Sequence, residues 1–258
     1  MKKWFIILSF LLIAGCQQVE IQEAVQQKEN IQHTQQTIEN EASANELQPY
    51  VEAVKQMQAW ESVKLYYGYF QNYANEARIN SELYVETYFV DSPRQIYRSS
   101  HYIAFQNSLD ELYYTEDEGG FTRSYYDEWE STEIERDQLT NPIPELVPFF
   151  EYVLKVADMT TDNNVAKLTI ANEHYNELYR QLYASFFRID VSDEDIEEEL
   201  GTIKDIEIQF ELQDSQLAQY RIVLTSSGLE QELSDEFILE GNFTNPNKLQ
   251  TIPGREDL

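Results

Sequence analysis

The chain has one cysteine, Cys16, in 258 residues, so no disulfide can form within it and the fold must rest on its core. Histidine is nearly as scarce. His33, His101 and His174 stand far apart, and there is no His-x-x-x-His pair or cysteine cluster of the kind that binds zinc. With only eight glycines and seven prolines, the chain is neither collagenous nor of low complexity. Positive charge is also in short supply: 18 Lys and Arg face 47 Asp and Glu, a net charge of −29. Such a surface repels phosphate backbones, which excludes nucleic acid as a partner. It repels anionic headgroups too, so charge alone cannot hold the domain on a membrane. No Gly-x-Ser-x-Gly elbow, phosphate-binding loop or dinucleotide fingerprint occurs. Carboxylates are so abundant that no pair stands out as the acid and nucleophile of a glycosidase. The sequence therefore assigns no catalytic residue, metal site or cofactor, and a non-enzymatic role is expected. The acidic stretch from Asp190 to Glu199 reads as a solvated loop; calcium is the other reading, but EF-hand alternation and a central glycine are missing.

The amino terminus holds the most specific signal. Lys2 and Lys3 precede an apolar run from Trp4 to Ile13, interrupted only by Ser9. The run is too short to span a bilayer comfortably and has the layout of a signal-peptide core. Ile13-Ala14-Gly15-Cys16 follows. This segment resembles the lipobox of bacterial lipoproteins. The resemblance implies cleavage between Gly15 and Cys16, a diacylglyceryl group on the Cys16 thiol, and a cell-membrane location on the extracytoplasmic face. An ordinary secretory signal or a short membrane anchor is the competing reading. Removing residues 1–15 takes away Lys2 and Lys3 and no acid, which moves the net charge from −29 to −31. Two acyl chains, at about 0.8 kcal/mol per buried CH₂, hold firmly where one would release.

Residues 17–46 are rich in Gln and Glu and carry no aromatic side chain. So little apolar mass cannot offset the entropy of ordering, which predicts a flexible polar stalk over 16–46. A stable helix is the alternative, because Val19, Val25, Ile31 and Ile38 are scattered through it. The domain is expected over 47–258. Leu47, Tyr50, Val51, Val54 and Met57 fall at helical spacing.

Strands are then predicted at Ser62–Tyr73, Ser81–Val90, Gln95–Phe105, Glu111–Thr115 and Phe121–Trp129. From Trp60 to Trp129 there are 18 aromatics in 70 residues, on both strand parities, so both faces must be at least partly covered. Apolar stripes predict helices over 144–157 and 173–186, separated by a strand near 165–171. The last third alternates as an antiparallel meander: Ile206, Ile208 and Phe210, then Ala218, Tyr220, Ile222 and Leu224, then Leu233, Phe237, Leu239 and Phe243. The sum is an α+β domain: a curved antiparallel sheet of about nine strands, covered by a few helices.

Two readings of the aromatic strands stand here. Tyr and Phe favour strands and fill cores. They also suit the walls of an apolar cavity of roughly 300–1,000 Å³, rings inward and hydroxyls toward a headgroup. Strand parity nominates Tyr67, Tyr69, Val85, Phe89 and Tyr97 as wall residues. The order of elements, with Glu111-Leu-Tyr-Tyr-Thr115 before the glycines and Trp129, and the ending Asn245-Pro-Asn-Lys-Leu-Gln-Thr-Ile-Pro253, resembles the LolA, LppX and LprG superfamily. Lipoproteins of Gram-positive Firmicutes with that fold are the nearer likeness. The resemblance implies a half-open barrel closed by helices and an acylated or lipid ligand. The competing function is an envelope interaction protein that recognises a partner through its acidic surface.

Overall fold

The computed structural model describes residues 46–74, 79–104, 107–125, 127–227 and 235–257. The expected signal segment 1–15, Cys16 and nearly all of the stalk lie outside the described residues, as does Leu233 of the predicted meander. Residues Leu47–Leu258 form one compact unit.

A first helix, α1, covers 46–57 and buries Tyr50, Ala53, Val54 and Met57. Pro49 falls in its opening turn, where an N–H has no helical acceptor to lose. Six strands follow: β1 (Ser62–Asn72), β2 (Ser81–Val90), β3 (Gln95–Ile103), β4 (Ser108–Thr115), β5 (Gly119–Ser124) and β6 (Glu130–Thr132). Helix α2 (Ile143–Val156) runs without a break into β7 (Ala157–Asp162), which pairs with β8 (Val165–Ile170). Helices α3 (Tyr175–Phe187) and α4 (Asp193–Leu200) come next, and β9 (Ile203–Gln213), β10 (Gln216–Ser226) and β11 (Asp235–Thr244) complete the strands among the described residues.

All eleven strands form one antiparallel sheet in the order β6-β5-β4-β3-β2-β1-β11-β10-β9-β8-β7. Two meanders fan outward from a central β1–β11 pair, in which Tyr67 lies opposite Gly241. Neither edge strand, β6 or β7, pairs with the other, so the curved sheet is a half-open barrel rather than a closed one. Helices α2 and α3 pack on its inner face. Phe150 of α2 makes edge-on ring contacts with Phe210, Tyr220 and Phe243 of β9, β10 and β11. Phe186 of α3 meets Tyr67 of β1 and Tyr220 of β10. Each such pair contributes about 0.5–1.5 kcal/mol beyond the area it buries. The helices therefore plug the β9–β11 side of the barrel most heavily.

The outer face is covered locally by the chain's last residues. Leu249 and Ile252 pack with Val90, Tyr97 and Tyr113. Ile252 N–H donates to Gln95 Oε1 at 3.0 Å, and the Arg255 guanidinium lies 3.6 Å from the Phe121 ring centre. Beneath them the buried Glu111 accepts hydrogen bonds from Tyr97 Oη, at 2.5 Å, and Arg123 Nε. Arg123 in turn stacks on Trp129. This explains why aromatics occur on both parities of β3–β5.

Three expectations are corrected. The sheet has eleven strands, because β7 follows α2 with no turn residue and β6 has only three residues, all exposed. The predicted acidic loop over 190–200 is largely α4. Ser192 and Asp195 form a capping box, and Ile196 and Leu200, four residues apart, are buried beneath the charged face. In β10 a bulge between Leu217 and Gln219 sends Leu217 into the core and leaves Ala218 half-exposed, opposite to simple alternation. The β9–β10 hairpin turns on Asp214 and Ser215, both at positive φ, the backbone of a type I′ turn.

Candidate ligand site

Strands β1, β2 and β3 carry the part of the inner face that α2 and α3 leave uncovered. Register fixes which side chains share it. Tyr67 lies opposite Val85, Leu65 opposite Thr87, and Tyr69 opposite Leu83. On the next strand Val85 faces Ser100, Thr87 faces Arg98, and Phe89 faces Ile96. These residues, the start of α2 at Glu145 and Leu146, and the end of α3 from Ser185 to Arg188 enclose a cleft of about 260 Å³. An apolar recess of about 180 Å³ adjoins it and shares Leu83 and Phe187 as walls. The half-exposed Tyr102 and Ile189 stand at the mouth of that recess. The cleft alone falls slightly below the expected range for ligand sites; with its recess it has room for one extended chain.

Polar side chains make up half of the cleft's lining: Thr87, Ser100 and Ser185 stand among Tyr67 and the charged groups. Tyr67 Oη is pushed up to about 12 by burial, with Arg98 and Arg188 opposing the rise, so it keeps its proton in neutral solution. It reaches the Phe186 carbonyl only at 3.5 Å. Arg98, half-exposed through the cleft, makes no hydrogen bond or ion pair with any described residue. Burial pulls its guanidinium below the ordinary value; Arg188 adds to that effect, and Tyr67 and Glu145 work against it. Arg188 is committed elsewhere. At the end of α3 it takes a left-handed backbone, φ 57°, and grips Glu145 of α2 with two hydrogen bonds of 2.7 and 2.8 Å. That pair ties the two helices together at the rim. The recess contributes one buried hydrogen bond, between the hydroxyls of Tyr69 and Tyr183 at 2.8 Å.

Of the five nominated wall residues, Tyr67 and Val85 line the cleft and Tyr69 lines the recess. Phe89 points to the same face but is wholly buried in the core. Tyr97 lies on the opposite face, against Tyr88 and Glu111, because the turn over Asp91–Arg94 puts the even-numbered residues of β3 inward. Gly15 and Cys16 lie outside the described residues. Parity did not single out Leu83, Arg98, Glu145, Phe186, Phe187 or Arg188. The available signal was Arg98 itself: a basic residue at the inward parity of Ile96, in a chain with few basic residues.

A larger groove of about 310 Å³ lies on the outer face over β9–β11. Its walls mix Gln209, Glu211, Gln219 and an Arg221–Glu240 pair at 3.5 Å with Tyr66 and Val165. His101 rests beside Tyr84, and His174 beside Tyr152. Among the described residues no group of three His, Cys, Asp or Glu side chains could hold a metal ion.

No family model matches the sequence, and no curated protein does. Among solved structures, the crystal structure of Rv2717c from M. tuberculosis aligns with 74% of this chain and 97% of that one, at 7% identity and a TM-score of 0.26. Overlap at that level does not establish a shared fold, and the architecture stands on the strand order and register above.

Proposed function

We propose that this chain is a lipid-anchored lipoprotein of the extracytoplasmic membrane face that binds or carries an apolar ligand, a lipid or acyl chain, on the inner face of its sheet. The observation that carries this reading is the cleft on β1–β3, with its adjoining apolar recess, between the inner face of the sheet and the ends of α2 and α3. The lipobox-like Ile13-Ala14-Gly15-Cys16 supports the anchor. Among the described residues no helix is long and apolar enough to cross a membrane. On this reading residues 1–15 are removed, 16–46 lift the domain from the surface, and the protein works by binding rather than catalysis. Its kinship with the LolA, LppX and LprG group is part of the same proposal.

The alternative, recognition of a protein partner through the acidic surface, draws on the net charge of −29. One experiment separates them. A dansylated undecanoic acid is titrated into the full chain and its fluorescence followed. A carrier gives a saturable blue shift, weakened at least tenfold by Tyr67→Asp with Val85→Asp in a chain that still folds. If there is no shift, or one that the double variant leaves unchanged, the carrier reading is wrong. Mass spectrometry of the mature amino terminus tests the anchor: an unmodified Cys16 would refute it.

A further inference from the structure

We infer that the cleft selects a single-chain amphiphile with a carboxylate head, which pairs with Arg98 and accepts a hydrogen bond from Tyr67 Oη. This rests on the apolar-ligand reading and names its ligand class. The argument begins with charge. Three ionic side chains line the cleft: Arg98, Arg188 and Glu145. Arg188 and Glu145 satisfy each other through two hydrogen bonds. Arg98 has no such partner among the described residues. The cleft therefore carries one uncompensated positive charge within a protein of net charge −29. Forty-seven acidic residues were available to neutralise it, and none of the described ones lies within ion-pairing distance.

A guanidinium held partly out of water and left unpaired is costly, because it has given up hydration without gaining a partner. It cannot shed its proton in response, as a lysine could. A ligand that brings one negative charge removes that cost. A carboxylate suits the geometry as well as the charge, since its two oxygens match the guanidinium fork. Tyr67 adds a donor beside it, protonated at any ordinary pH. Leu65, Leu83, Val85 and Phe187 offer apolar wall for a hydrocarbon tail, and Leu83 and Phe187 also line the recess. The cleft and recess together suit one chain and are too small to enclose both chains of a phospholipid. A phosphate monoester would bring a second negative charge that the cleft does not balance.

The experiment compares decanoate with decanol, the same tail with and without the charge, by calorimetric titration of the full chain. Decanoate should bind about thirtyfold tighter, equivalent to about 2 kcal/mol at ~1.4 kcal/mol per factor of ten. Arg98→Met should erase that preference and leave decanol binding in place. Arg98→Gln, which keeps hydrogen bonding but loses charge, should reduce it, and it serves if the methionine variant does not fold. Equal binding of the two probes to the native chain, or a preference that survives both substitutions, overturns the inference while leaving the apolar cleft intact. If neither probe binds, the inference and the carrier reading fall together. Lysophosphatidylglycerol below its micelle concentration, a single-chain phosphodiester, should not displace decanoate. Displacement would show that a phosphodiester is the head recognised, and would overturn the carboxylate assignment.

Discussion

Tyr220→Phe should stabilise this protein. Tyr220 sits at the centre of the sheet, opposite Gly241 on β11 and Phe210 on β9, with its ring against Phe150, Phe186 and Phe243. It is 2% exposed, and its hydroxyl has no hydrogen-bond partner among the described residues. Burial drives that hydroxyl well above its usual value, and Tyr67 adds to the rise, so it stays neutral and contributes no charge. A buried hydroxyl without a partner costs about 1–3 kcal/mol relative to water. Removing one oxygen leaves a gap smaller than a methyl group, which costs less than about 1 kcal/mol. The net expectation is a gain of about 1 kcal/mol, or a rise in Tm of about 2–4 °C for a domain of this size. Tyr69→Phe is the matched control. The same atom is deleted there, but Tyr69 Oη is bonded to Tyr183 Oη at 2.8 Å and to Gln71 Nε2 at 3.2 Å. It should lose about 1 kcal/mol. Thermal unfolding of both variants with the parent decides the matter. If Tyr220→Phe lowers Tm as much as Tyr69→Phe does, its hydroxyl is bonded and the reasoning fails.

Gly241→Ala should destabilise by about 3 kcal/mol in urea unfolding, the upper end for overpacking. Its Cβ would lie 2.5 Å from both Tyr220 Oη and the Tyr66 carbonyl oxygen, and that carbonyl belongs to the adjoining strand β1. Glu111→Ala should cost about 2–3 kcal/mol, less than the 3–5 of a fully buried pair, because Arg123 keeps its stack on Trp129. At helix α4 the Asp195 carboxyl is held below its ordinary value of 3.8 by the Ser192 hydroxyl and backbone N–H. A depressed native value means the cap is intact above that pH and is lost as pH falls through the native value. Protection factors at the Asp195 and Ile196 amides, which correct for the intrinsic pH dependence of exchange, should therefore fall only below about pH 3.8; a fall already at pH 6 would contradict the capping role.

Much of the fold was legible because alternation and helical spacing are local. Leu65, Tyr67 and Tyr69 share a face as period two demands, and Leu146, Phe149, Phe150, Val153 and Leu154 form the buried stripe of α2. What escaped is non-local or depends on one residue's offset. Parity within β3 is plain, but which parity faces inward depends on the turn before it, and Tyr97 fell on the wrong side. The bulge at Ala218 shifts the phase of β10 in the same way. Helix α4 was hidden by its acidity, although its capping box and its Ile196–Leu200 spacing were in view. Arg98 was not legible as a wall residue because apolar patterning is blind to charge, and only the folded chain reveals that no described carboxylate lies within ion-pairing distance of it.

The most direct test is native mass spectrometry of the full chain purified gently from cells that make it. The account predicts a fraction carrying one noncovalent adduct, with the mass of a single-chain carboxylate, that disappears in Arg98→Met. A chain free of any adduct, together with no uptake of decanoate when it is supplied, would contradict it.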